Sequence, residues 1–133
     1  MKNSEMLSYF GLAEPPFSKE LSTAQLQLLP SVQRSLASAR LLVDTRGIGV
    51  ISGKAGTGKS CLLRLLCDSL APGLFKSFYL CHSSVGIVEF YTHLCSLFGL
   101  EPCYRRASMF RELQSHILTL ATVSHVHPVL IID

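Results

Sequence analysis

Ile48-Gly49-Val50-Ile51-Ser52-Gly53-Lys54-Ala55-Gly56-Thr57-Gly58-Lys59-Ser60 decides how the rest of this chain is read. Its last eight residues, Gly53 to Ser60, spell G-x-x-x-x-G-K-S, the P-loop or Walker A pattern. That pattern needs a strand before it and a helix after it. The β-branched run Ile48 to Ile51 supplies a short strand. Behind Ser60 come Leu62, Leu65, Leu66 and Leu70, apolar at helical spacing, and Pro72-Gly73 ends that helix.

The chemistry follows from the backbone. Gly53, Gly56 and Gly58 allow positive φ and a close approach to a ligand. Successive N–H groups then turn inward as an anion nest. The helix that begins there adds its unpaired N–H groups and the positive end of its dipole. The candidate nucleotide-binding set is Gly53, Lys54, Ala55, Gly56, Thr57, Gly58, Lys59, Ser60 and Cys61. Lys59 is the candidate catalytic residue, placed for the β- and γ-phosphates, and Ser60 the candidate Mg²⁺ ligand.

Composition bounds the rest. With 133 residues, one domain is the ceiling. Hydrophobic residues make up 48 % and charged residues 16 %, which fits a globular chain and excludes a disordered one. The net charge of +3 permits nucleic-acid contact without arguing for it. Seven basic and two acidic residues lie between Arg34 and Lys76, a bias that is partly the phosphate loop itself. The five cysteines form no C-x-x-C pair and read as reduced thiols of a cytoplasmic protein. His125-x-His127 has no cysteine near it and reads as two ordinary histidines. No apolar run reaches the length of a membrane span, and the N-terminus has no signal-peptide core.

Residues 1–30 read as a docking arm, either a surface strap pinned by Phe10 and Phe17 or a strap over the adenine side of the nucleotide site, with Pro15-Pro16 forcing extended backbone. Residues 31–133 read as the core. A helix from an N-cap at Ser31 to about Asp44 buries Val32, Leu36, Ala39, Leu42 and Val43, and Gly47 closes it. Lys76 to Cys81 is a second, buried strand. A helix capped by Ser84 runs to Phe98 on a stripe of Ile87, Phe90, Tyr91, Leu94, Leu97 and Phe98, with Gly99 as its stop. Arg105-Arg106 sits in a loop and reads as a solvated pair or a phosphate contact. A helix capped by Ser108 buries Met109, Leu113, Ile117, Leu120 and Ala121. Ser124 to Pro128 is a turn. Val129-Leu130-Ile131-Ile132-Asp133 is a fully buried strand ending in a carboxylate, the pattern of a Walker B strand, whose Asp helps hold Mg²⁺.

These alternating elements describe an α/β P-loop fold of the AAA+ type, a parallel sheet flanked by helices. Tyr9-Phe10-Gly11-Leu12 and Pro16-Phe17-Ser18, taken with the P-loop and the Asp133 strand, resemble the ExeA-like bacterial AAA+ ATPases. That group includes ATPases of the secretion pathway and ATP-binding helpers of transposases. The resemblance implies an ATP-binding, Mg²⁺-dependent ATPase that works as a homo-oligomer on a partner. It puts Lys59 on the β/γ oxygens and Ser60 on Mg²⁺, and makes Asp133 the Walker B aspartate, acting through a metal-bound water. ATP in preference to GTP rests on the resemblance alone. A DNA-bound assembly factor for a transposase, using ATP as a switch, and a secretion-machinery ATPase are the alternative readings it carries.

Similar proteins continue past this Asp with a Glu that orients the attacking water, a sensor strand, an arginine finger and a helical lid. The expectation is therefore the N-terminal piece of a longer ATPase, truncated after the Walker B strand and unable to hydrolyse ATP. In the AAA+ arrangement the sensor strand lies between the P-loop strand and the Walker B strand. Without it, a strand-wide gap with unpaired buried backbone is expected to make the piece unstable.

Overall fold

Two parallel strands form the centre of the computed structural model, which describes residues 3–13, 15, 22–81 and 84–133. Strand β1 (Phe75–Leu80) pairs with β2 (His127–Ile132) in a register that runs from Phe75 opposite His127 to Leu80 opposite Ile132. The ladder extends at both ends. The His127 N–H donates to the Leu74 carbonyl at 2.8 Å, and the Asp133 N–H to the Leu80 carbonyl at 2.9 Å. Parallel neighbours need a long crossover. Helices α4 (Ile87–Phe98) and α5 (Arg106–Thr122) supply it.

Alternation along the strands assigns the two faces. Phe78 and Leu80 join Leu94, Cys95, Phe98, Met109 and Leu113 in a buried cluster, so α4 and α5 cover that face. The rings of Phe78 and Phe98 stack there with centroids 3.9 Å apart. Ser77, Tyr79, Ile131 and Asp133 take the opposite face. Helix α3 (Lys59–Ser69) meets it through Cys67 against Ser77 and Ser60 against Asp133. Ile131 is buried on this face, and Leu62, Leu65 and Leu66 of α3 are buried as well. Outside α3 lies α2 (Pro30–Asp44). Its Arg40 guanidinium donates to the Ser69 hydroxyl at 2.9 Å and the Ser69 carbonyl at 3.1 Å, capping the end of α3. The result is an α/β fold, helices on both sides of a small parallel sheet.

Several sequence expectations are corrected. Ile48 to Ile51 is not a strand: Ile48 is 99 % exposed and Val50 91 %. A β-branched run becomes a strand only beside a neighbour that completes its ladder. Among the described residues, β1 and β2 pair with each other and with nothing else. The β2 run is only half covered, Leu130 and Ile132 being exposed beside the buried Ile131.

Helix α4 starts at Ile87 behind Gly86, whose N–H donates to the Glu89 carboxylate at 3.2 Å, so Ser84 is not its cap. Helix α5 starts before Ser108, whose own N–H already donates to the Arg105 carbonyl at 2.9 Å. Ile87 and Ile117, placed on buried stripes by periodicity, are exposed. Helix α2 starts at Pro30, one residue ahead of the expected Ser31 cap, and no side-chain hydrogen bond caps it. At its far end Arg46, not Gly47, takes the left-handed turn, with φ +55°. Its guanidinium then lies 2.9 Å from the His127 ring nitrogen, tying this turn to β2.

Within the expected arm, Asn3–Phe10 forms a helix, α1, and a 3₁₀ turn covers Thr23–Gln25. Thr23 donates to Asp68 of α3 at 2.5 Å. Phe10 is exposed, and its ring meets the Tyr9 ring edge-on. Pro16 and Phe17 lie outside the described residues.

Candidate functional site

The loop between residue 52 and α3 is shaped by its glycines. Gly56 and Gly58 stand at φ +79° and +85°, a region that L side chains rarely occupy. A Cβ on Gly53 would come within 2.9 Å of the Thr57 hydroxyl. That hydroxyl donates to the Lys54 carbonyl at 2.8 Å, and the Thr57 N–H to the same oxygen at 3.4 Å, closing the turn.

Gly58 is the N-cap of α3, and no side chain caps that end. The first intrahelical bond runs from the Leu62 N–H to the Gly58 carbonyl at 2.9 Å. The N–H groups of Lys59, Ser60 and Cys61 therefore have no acceptor within the helix and face outward from its positive end. The Lys59 ammonium donates to the Gly53 and Lys54 carbonyls, both at 3.0 Å. An ammonium has three donors, so one remains for an anion held by the loop. Lys54, Ala55, Ser60 and Cys61 are exposed around this end.

Asp133 reaches the same place from the other end of the chain. It lies directly beyond the C-terminal end of β2, on the face that α3 covers. The Tyr79 hydroxyl donates to its Oδ2 at 2.6 Å. This bond, then a hydrogen bond from Ser60, then the nearby Lys59 charge, hold its carboxyl below the usual carboxylate range. Burial and the adjacent carboxylate together push the Tyr79 phenol above its ordinary value. Lys59, Ser60 and Asp133 thus converge, although 73 residues separate the last two.

Tyr79 is the site neighbour that sequence reasoning missed. Within Lys76 to Cys81 it read as one aromatic of a buried strand. Its position follows only from the register, which sets Tyr79 opposite Ile131 and so on the same face as Asp133.

The donor set is made of oxygens. Among the described residues no three His, Cys, Asp or Glu side chains gather as a metal cluster. A hydroxyl and one carboxylate suit Mg²⁺, which keeps several waters and takes its other oxygens from phosphate. They do not suit Zn²⁺, which wants nitrogen or sulfur donors. His127 is engaged by Arg46 and lies against the Phe75 ring.

A family model described as an AAA domain matches residues 40–133. The chain belongs to the AAA domain family. The match takes in the loop, α3, both strands and Asp133, and leaves α1 and the 3₁₀ turn of the AAA protein outside. No curated protein and no solved structure matches the chain. No helix among its described residues is long and apolar enough to cross a membrane.

Proposed function

We propose that this AAA domain binds ATP with Mg²⁺ through residues 53–61 and Asp133, as the nucleotide-binding part of an ATPase. The observation that carries this reading is the convergence of Ser60 and Asp133 at the uncapped start of α3, beside the Lys59 ammonium. The loop N–H groups and Lys59 would hold the phosphates. The Ser60 hydroxyl and the Asp133 carboxylate would hold Mg²⁺, which neutralises phosphate charge when bound.

Binding is the role assigned to residues 53–61 and Asp133. Asp133 is kept ionised by three neighbours and is a poor acceptor for a proton from water. The test is titration with a fluorescent ATP analogue. Lys59→Ala should weaken Mg²⁺-dependent binding by about 10- to 100-fold, the value of one charge-assisted hydrogen bond, with circular dichroism unchanged. Equal affinities for the two proteins would sink the assignment.

A second reading, nucleic-acid contact, has one observation in its favour. Arg106 and Arg111 line an open hollow of about 490 Å³ with Tyr91 and Phe110. Cations beside aromatic faces suit a single strand. Affinity for a fluorescent oligonucleotide should fall steeply with salt, and Arg106→Ala with Arg111→Ala should flatten that slope by about one to two. Salt-independent binding, or none at low salt, excludes it.

A further inference from the structure

Oδ2 of Asp133 has a partner that the proposed nucleotide site does not require. Tyr79 sits on β1 opposite Ile131, two residues before Asp133 on the adjacent strand. Alternation puts both side chains on the α3 face, and the phenol donates to Oδ2 at 2.6 Å. A short hydrogen bond to an ionised acceptor is among the stronger ones. Asp133 is exposed and lies past the last residue of β2. The Asp133 N–H bond to Leu80 anchors its backbone, and Tyr79 anchors its side chain. The phenol thereby holds one of the two carboxylate oxygens.

We propose that Tyr79 is a positioning residue for the metal half of this site, its phenol clamping Asp133 so that the carboxylate and the Ser60 hydroxyl are presented together to Mg²⁺. The inference rests on the nucleotide-site reading above. Tyr79 itself touches neither phosphate nor metal. Its removal therefore affects the Mg²⁺ dependence of ATP binding and leaves Mg²⁺-free ATP binding alone.

The experiment titrates wild type and Tyr79→Phe with a fluorescent ATP analogue, in EDTA and across a Mg²⁺ series. In EDTA the two affinities should agree within about twofold. The Mg²⁺ midpoint of Tyr79→Phe should rise about 10-fold, the worth of one hydrogen bond to a charged group. In an Asp133→Ala background the same substitution should change nothing, since the cycle then lacks its partner. An unchanged Mg²⁺ midpoint overturns the inference, as does an equal loss in EDTA and in Mg²⁺. Wild type that binds no ATP at any Mg²⁺ level would instead overturn the nucleotide-site reading. A measurement on wild type guards against misfolding of the variant. With 3-fluorotyrosine incorporated, the Tyr79 fluorine resonance should move when Mg²⁺ is added to the ATP-bound protein, while those of Tyr9 and Tyr104 stay. A stationary Tyr79 resonance also overturns the proposal.

Discussion

Tyr79 and Asp133 stabilise each other while the phenol is neutral and the carboxyl is charged. Asp133 is shifted down, so its contribution is present above the ordinary carboxylate value and lost as pH falls through its lower folded value. Tyr79 is shifted up, so its contribution is present below the ordinary phenol value near ~10 and lost as pH rises through its higher folded value. The bond therefore operates between about pH 4 and pH 10. Tyr79→Phe should lower stability by about 1 kcal/mol in that window, after discount for exposure. Urea midpoints across pH should show a flat difference from pH 5 to 9 that shrinks at lower pH. A difference that persists unchanged to pH 2 would mean the lost hydroxyl matters for some other reason.

At the scale of elements, two helices lean on a very small core. Met109 of α5 and Cys95 of α4 are the side chains with no exposed surface at all. Both belong to the cluster that holds the helices against Phe78 and Leu80. Met109→Ala leaves a cavity that no neighbour can collapse into without moving a helix. The expected cost is about 3 kcal/mol, a large part of the stability of a chain this size. The urea midpoint, followed by far-UV circular dichroism because the chain has no tryptophan, should fall accordingly. A loss below about 1 kcal/mol would mean the α4–α5 packing is looser than the buried Met109 implies. The ends of these helices were unevenly legible. Gly99 was readable because a left-handed stop favours glycine, and it has φ +75° with Leu100 closing back on Cys95 at 2.8 Å. The starts were not, because Ser84 and Ser108 are good caps that the chain does not use.

Over the whole molecule segment 48–51 is one of several exposed apolar stretches. Ile48 and Val50 stand in water next to the glycine loop that precedes α3. Extended apolar backbone without ladder partners is a template for pairing with other chains. Val50→Lys should therefore reduce concentration-dependent aggregation in light scattering while leaving the circular dichroism spectrum unchanged. Amides 48–51 should exchange with solvent far faster than those of β1 and β2. Slow exchange at 48–51 would contradict an unpaired segment.

The sequence by itself determined the loop, the helix behind it, the second strand, the terminal strand with its Asp and most of the inward-facing residues. These are local properties: glycine where φ is positive, apolar spacing of 3.6 or 2, and breakers at the ends. Gly56, Gly58, Leu62, Leu65, Leu66, Phe78 and Met109 were all readable in that way. Only the tertiary structure decided what depends on a neighbour. Ile48 to Ile51 has the composition of a strand, but a ladder needs a second strand beside it. Ile131 is buried and Ile132 exposed because helices α3 and α5 do not cover the sheet equally. Tyr79 became part of the site through a strand register joining residues 54 positions apart, Tyr79 and Asp133. No local pattern encodes that pairing, since register is set by how two distant segments pack against the same helices.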